Sequence, residues 1–250
     1  MPYRSLDQRS LDPDPIPPML SIVTLPPAPW QRPLDLVITI SLLPLAFPLI
    51  VLLALIVRLD SPGPAFFRQE RLGRGGRSFV LFKLRSMRAG ADEALHRRRV
   101  TGLLRPEGRG LPWQAPAHDP RVTRLGRLMR LSAVDELPQL VNVLKGEMSL
   151  VGPRPALPYE AEHWSVWHQQ RLLVRPGLTG LWQVAGRDPA SHQAAVDFDG
   201  MVRLDLDYIR RRSLALDLRI LGMTPAAVWR RRATADRSLT GGGAEIRLDQ

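Results

Sequence analysis

Cysteine is absent from all 250 residues. Disulfides, thiolate nucleophiles and cysteine-ligated metal centres are therefore excluded together, which fits a reducing compartment. Histidine is scarce as well. The five, His96, His118, His163, His168 and His192, are scattered and include no HExxH-like pair, so they read as surface or packing residues. Acidic residues are outnumbered, 24 Asp and Glu against 35 Lys and Arg, for a formal net charge of +11. That balance favours anionic partners: nucleic acid, anionic lipid or phosphorylated substrates. Internal repeats are missing too. What remains is a chain with 44% hydrophobic residues, which excludes wholesale disorder and leaves room for one or two domains with a genuine core.

Proline is plentiful instead, and it divides the chain. Residues 1–33 carry Pro13-Asp14-Pro15-Ile16-Pro17-Pro18 and Pro26-Pro27, a composition that suits neither a helix nor a central strand. They read as a disordered tail approaching a membrane, without a signal-peptide cleavage pattern. From Leu36 to Val57 the chain has no charge, and the run exceeds the roughly 20 residues needed to cross a bilayer core. Pro44 and Pro48 interrupt it, each removing a backbone hydrogen bond and bending a helix. Two readings follow from pattern alone: a straight span, or a broken helix that enters and leaves on one face. Arg58, Arg68, Arg71, Arg74 and Arg77 place the following domain in the cytoplasm, whereas Arg32 is nearly balanced by Asp35, so charge leaves the N-terminus unassigned.

The rest reads as a globular domain. Ser61-Pro62-Gly63-Pro64 is a turn, and Phe79-Val80-Leu81-Phe82 a short buried strand. Residues 89–120 form a loop with a short helix. Two amphipathic helices follow, one with Arg121, Arg124, Arg127 and Arg130 at every third position, the next with Leu137, Leu140, Val141 and Leu144. Residues 203–231 mix Leu, Ile and Trp229 with arginines, as expected of helix lying on the core or on a membrane interface.

Four constellations carry chemistry. In Ser132-Ala133-Val134-Asp135-Glu136-Leu137-Pro138 two adjacent carboxylates sit at a helix start. Pro138 belongs in a first turn, so Asp135 is the preferred N-cap, with a Ser132–Asp135 capping box as the alternative. Such carboxylates either cap the helix or, beside a cation, attack phosphorus and bind a divalent metal. In Lys145-Gly146-Glu147-Met148-Ser149-Leu150-Val151-Gly152-Pro153-Arg154-Pro155, Arg154 stands in a stiff segment between prolines, suited to bidentate phosphate binding or to a plain turn. The run from Arg175 to Arg187, RPGLTGLWQVAGR, joins close-approach glycines to flanking arginines; it reads as a nucleotide-binding loop or a turn. In Phe82-Lys83-Leu84-Arg85-Ser86-Met87 the two cations alternate along a strand and would share a face.

Taken in order, the proline-broken apolar segment, FKLRSM, DPRVTRLGRLMR, DELPQLVNVLKGEMSLVGPRP and RPGLTGLWQVAGR resemble the bacterial sugar transferases over roughly residues 34–230. These are monotopic polyprenyl-phosphate phosphoglycosyl transferases that initiate exopolysaccharide, capsule and O-antigen assembly. The resemblance implies a mostly helical α/β fold with short strands, a re-entrant helix–break–helix at 34–58, interfacial amphipathic helices, a cytoplasmic catalytic domain at 59–235 and a flexible tail at 236–250. It implies transfer of a sugar 1-phosphate from a UDP-sugar to undecaprenyl phosphate, with release of UMP, at the cytoplasmic face of the bacterial inner membrane. By position, Asp135 is the implied nucleophile and Glu136 its partner in the dyad and at Mg²⁺. Arg154 holds phosphate, and Lys83, Arg85, Arg175 and Arg187 lie near phosphate or nucleotide. Membrane lipids and a homo-oligomer are compatible with this reading; nucleic acid is not part of it. One departure is Phe47-Pro48 where the family often has Ser-Pro, so the serine hydroxyl that relieves the break is missing here.

Two other classes fit less of the sequence. A nucleic-acid binder explains the charge but not the uncharged run or the paired carboxylates. A non-catalytic membrane scaffold explains the run but not Asp135-Glu136 followed by Gly-Pro-Arg-Pro. A glycosyltransferase that moves only the sugar would release UDP instead of UMP.

Overall fold

A chain with so long an uncharged run must either bury it or give it to lipid. The computed structural model describes residues 24–91, 93–104, 108, 113, 119–185 and 197–240. Residues 1–23 and 241–250 of the two expected tails, and Arg187, lie outside the described residues. The uncharged run forms the middle of helix α1 (Gln31–Asp60), 30 residues and so about 45 Å long. It is the one helix, among the described residues, long and apolar enough to cross a membrane. Pro44 and Pro48 lie inside it, and the helix is continuous through both instead of divided into two.

Both ends of α1 are fastened to the rest of the protein. At its start Ala28 is buried, Trp30 Nε1 donates to Asp217 Oδ2 at 2.9 Å, and Gln31 Nε2 to the Tyr208 hydroxyl at 3.1 Å. Arg32 donates to the carbonyls of Val143 and Leu144, 2.6 Å each, and Asp35 Oδ1 accepts from Ser149 Oγ and the Leu150 amide. The loose tail expected through residue 33 therefore ends earlier. Leu25 N also donates to Leu173 O, and Arg74 bonds Thr24 and Leu25. Local proline content could not show this, because every one of these partners is distant in sequence. At the far end Val57 is buried with Ala65, Leu84 and Met129, and the Arg85 guanidinium donates to the Val57, Ser61 and Pro62 carbonyls. Between the ends Ala46 joins the main buried cluster. Leu45, Phe47, Leu52, Leu55 and Leu59 are exposed on the outer face.

The expected strand is the second half of a hairpin, β1 (Phe66–Leu72) paired antiparallel with β2 (Ser78–Leu84). Gly75 and Gly76, with φ of 70° and 76°, make the reversal. The register sets Phe67 opposite Lys83, Gln69 opposite Leu81 and Arg71 opposite Phe79. Residues directly opposite share a face, so one face of the hairpin carries all six. Helix α2 (Glu93–Leu104) follows, then α3 (Arg124–Ser132), whose N-cap Thr123 accepts from the Gly126 amide. Ala133, at φ 57°, turns the chain into a 3₁₀ turn over Val134–Gln139, which runs into α4 (Leu140–Lys145).

The two glycine-bearing motifs meet as backbone on backbone. Strands β3 (Ser149–Val151) and β4 (Gly177–Thr179) are parallel, with Ser149 opposite Gly177 and Val151 opposite Thr179. A Cβ on Gly152 would stand 2.6 Å from the Arg175 carbonyl oxygen, and one on Gly177 or Gly180 would collide with Gly152. Short helices α5 (Pro158–Ala161) and α6 (Val166–Gln169) lie between these two strands in the chain, and α7 (Leu181–Ala185) follows β4. Helices α8 (Phe198–Arg211) and α9 (Leu214–Thr240) close the core, where Trp164, Tyr208, Met148 and Val143 are fully buried. The described residues are thus mostly helical with short strands, as the sequence implied.

Candidate active site

The site forms where the hairpin face meets the 3₁₀ turn. Asp135 and Glu136 occupy the first turn of Val134–Gln139, while Ala133, in the left-handed region, precedes it. Asp135 is therefore not the N-cap that the sequence favoured. The capping-box alternative fails as well, since the Ser132 hydroxyl donates back to the Leu128 and Met129 carbonyls. One left-handed residue both ends α3 and starts the turn, so no capping side chain is needed. Asp135 is 5% exposed. Glu136 Oε1 stands 3.5 Å from Lys83 Nζ, which reaches over from β2.

Around this pair the cleft is lined by Arg71, Gln139, Arg154, Pro155 and Gln183. Burial lowers the pKa of Arg71 to about 10, with Arg154 adding to the effect and Glu160 opposing it. Burial also lowers that of Lys83, with Arg71 reinforcing it and Glu136 and Asp135 opposing. Three cations thus crowd two carboxylates, an arrangement that draws in a polyanion and pairs with it.

Arg154 is held by its backbone. Arg171 Nη2 donates to the Arg154 carbonyl at 3.1 Å, and Arg71 Nη1 to that of Pro155 at 2.9 Å. Arg171 is itself fixed by Asp205, 2.7 Å from Nε in a buried ion pair, and its guanidinium lies 5.2 Å from the Trp164 ring centre. Burial pushes the Asp205 carboxyl up to about 6 against the pull of Arg171. Among the described residues the Arg154 guanidinium makes no hydrogen bond, so its planar fork is available to a ligand.

Of the expected site residues, Lys83, Asp135, Glu136 and Arg154 are brought together. Arg85 is placed elsewhere: it spends its guanidinium on the carbonyls at the C-terminal end of α1. The strand ends at Leu84, so the alternation that would put Arg85 beside Lys83 stops one residue short. Arg175 lies among Arg32, Arg74 and Asp35, where burial lowers its pKa. Sequence reasoning missed Arg71, Gln139, Gln183 and the Arg171–Asp205 pair. For Arg71 a signal existed, since hairpin register places it on the Lys83 face. For Arg171 and Asp205 there was none, as their partners are distant in sequence.

As a metal site, Asp135 and Glu136 supply two adjacent carboxylates. No group of three or more metal-ligating side chains occurs among the described residues. Such a donor set suits Mg²⁺, which binds through one or two carboxylates and completes its shell with substrate phosphates and water.

Comparison with known proteins adds the family. The model of the bacterial sugar transferase family matches residues 27–231. An undecaprenyl-phosphate galactose phosphotransferase of Salmonella typhimurium is 40% identical over 205 residues, 80% of this chain and 40% of that protein. A UDP-glucose:undecaprenyl-phosphate glucose-1-phosphate transferase of Caulobacter vibrioides is 41% identical over 194 residues, 76% of this chain and 66% of the relative. The exopolysaccharide production protein ExoY of Rhizobium meliloti is 37% identical over 201 residues, 79% of this chain and 84% of its own length. Several curated relatives are longer, and the chain spans 34% to 40% of their length. The match nevertheless takes in the uncharged helix, the Asp135–Glu136 turn, the Arg154 segment and the glycine-paired strands. With the motifs, their geometry and the match in agreement, the chain belongs to the bacterial sugar transferase family.

Proposed function

We propose that this protein transfers a sugar 1-phosphate from a UDP-sugar to undecaprenyl phosphate, releasing UMP. The observation that carries the reading is the convergence of the Glu136–Lys83 pair, Arg71 and Arg154 in one cleft, with Asp135 almost buried beside Glu136 in the same turn and close enough to Lys83 to hold its pKa up. Asp135 attacks the phosphorus that bears the sugar. The bond from that phosphorus to the bridging oxygen breaks, UMP leaves with the oxygen, and the sugar phosphate stays on the carboxylate as an acyl-phosphate. A phosphate oxygen of the lipid then attacks the same phosphorus, forms the lipid diphosphate sugar and restores the carboxylate. Lys83 holds Glu136 in place beside the nucleophile. Arg154, fixed by its backbone, presents its fork to the phosphate oxygens. Bound Mg²⁺ would be held by Asp135 and Glu136 and would neutralise the diphosphate and the departing UMP. The cleft holds about 20 Å³ of free space, so the donor engages it through its phosphates instead of entering whole.

The same reading sets the protein on the cytoplasmic face of the inner membrane, where the UDP-sugar is soluble and the lipid phosphate is presented. Helix α1 enters and leaves on that side, bent at Pro44 and Pro48. The names of the relatives carry glucose and galactose, so both belong in the test. Purified protein is incubated with Mg²⁺, undecaprenyl phosphate and a panel of UDP-glucose, UDP-galactose and UDP-N-acetylaminosugars, and the nucleotide product is resolved. UMP from one donor, lost with EDTA, is expected. Release of UDP would assign transfer of the sugar alone and end this reading.

A further inference from the structure

A second concavity lies between α1 and the hairpin, with a volume of about 810 Å³, inside the roughly 300–1,000 Å³ typical of ligand sites. Its walls are Ala54 and Leu55 from α1, Pro64 and Ala65 from the turn before β1, and Phe66 and Phe67 from β1; Arg58 and Arg68 stand in its lining as its two charges. We infer that this groove receives the isoprenoid chain of the lipid acceptor, close to the phosphate it delivers to the Lys83–Glu136 cleft. The inference rests on the proposed transfer to a polyprenyl phosphate.

Three observations carry it. The wall from α1 continues into the exposed apolar face of that helix, where Leu52 and Ile56 are open beside Leu55, so apolar surface runs on from the groove along α1. The two guanidiniums complement an anionic headgroup. Most tellingly, the groove is joined to the cleft twice. Phe67 is directly opposite Lys83 in the hairpin and shares its face. Val134, the residue before Asp135, packs with Ala54 against the buried cluster of Val57, Ala65, Leu84 and Met129 that backs the groove. An ordinary phospholipid would satisfy the apolar wall and the charges, but it has no use for a direct approach to Asp135 and Lys83. A phosphorylated isoprenoid has.

The test uses the full chain in phosphatidylcholine nanodiscs, with undecaprenyl phosphate or the short geranyl phosphate as acceptor. In Leu55→Gln and Phe67→Gln the KM for undecaprenyl phosphate should rise roughly tenfold or more, the range set by burying a few methylenes, while the KM for geranyl phosphate changes far less. Leu218→Gln, an equally exposed apolar residue on α9, serves as control for lost membrane contact and should leave both unchanged. Phosphatidylglycerol should not compete. An unchanged KM in both groove variants, an equal rise for both acceptors, or competition by phosphatidylglycerol overturns the assignment. Exchange of labelled UMP into the UDP-sugar, measured without acceptor, separates the two proposals: its absence in the native chain defeats the transfer chemistry, whereas its presence alongside unaltered acceptor KM values defeats the groove alone.

Discussion

Asp135 sits almost buried beside a lysine–glutamate pair, and the chemistry asked of it depends on one ionised oxygen. Asp135→Asn keeps the size of the side chain and removes that nucleophile. UMP release should fall by roughly a thousandfold or more, as with other catalytic nucleophiles, while the thermal unfolding midpoint stays near that of the native protein. Near-normal turnover in this variant would remove the covalent step from Asp135. Arg154 poses a different question, because its backbone is clamped by Arg71 and Arg171 while its guanidinium stays open. Arg154→Ala should therefore lose activity without unfolding, and Arg154→Lys should recover little, since an ammonium cannot present two parallel donors. Full activity in Arg154→Ala would reduce that residue to a strut. His96 makes a pH prediction. Burial, reinforced by Arg154 and Arg71, lowers its pKa to about 4 from an ordinary value of about 6.5. The unfolded chain then binds a proton that the folded chain refuses between those two values. This contribution to stability is complete above pH 6.5 and declines as the pH falls towards 4. The fall in urea midpoint between pH 7 and pH 5 should be smaller in His96→Gln than in the native chain; equal slopes would place His96 in open solvent.

At the scale of elements, the turn that carries the carboxylates is set by Ala133, whose φ of 57° is a conformation that alanine adopts at a cost. Glycine relieves that strain, so Ala133→Gly should raise unfolding stability by up to about 1 kcal/mol, read from denaturant midpoints. A loss of stability would mean that Ala133 Cβ contacts outweigh the backbone term. This turn also marks how far the sequence could be read. The carboxylates, Lys83 and Arg154 were legible because short motifs fix them: an acidic pair before Leu-Pro, a cation after a β pattern, an arginine between prolines. The hairpin strand was legible from Phe79-Val80-Leu81-Phe82, and the amphipathic pair of helices from the spacing of their leucines. The start of the 3₁₀ turn was not, because alanine carries no capping signal and its left-handed geometry is imposed by neighbouring structure. Arg85 was misplaced because a strand pattern does not announce its last residue. Arg71, Arg171 and Asp205 stayed hidden because their roles come from the Pro155 and Arg154 carbonyls, which sequence spacing does not bring near.

For the whole molecule the decisive element is α1. Its length of about 45 Å would cross a bilayer with residues to spare, and between Val37 and Ile56 its exposed residues are apolar but for Ser41. Yet Gln31, Arg32 and Asp35 at one end bond to α8, α4 and β3, and at the other end Val57 packs with Leu84 of β2 and Met129 of α3 while Arg85, just after β2, donates to the Val57 and Ser61 carbonyls. Ala46 at the middle joins that core as well. A helix that carried its N-terminus to the opposite face would have to release Trp30 from Asp217, Gln31 from Tyr208 and Asp35 from Ser149. Each buried polar group so abandoned costs roughly 1–3 kcal/mol, more where it is charged. Prolines at 44 and 48 add carbonyls that lack amide partners, which hydrocarbon tolerates poorly and a protein surface or headgroup layer can relieve. Both ends should therefore stay on the cytoplasmic side. The native chain has no cysteine, so single cysteines at the exposed positions Pro27 and Asp60 report the two ends of α1 without background. In right-side-out spheroplasts neither should react with a membrane-impermeant maleimide until the membrane is opened, and in inverted vesicles both should. Replacing Pro44 and Pro48 together with leucine restores the two missing backbone amides but leaves the polar anchors at residues 30–35, so residue 27 should remain cytoplasmic unless Asp35→Leu is added. Labelling of residue 27 from outside in the otherwise native chain would establish a full crossing and sink the one-sided arrangement, while leaving the chemistry of Asp135 to be judged by its own test.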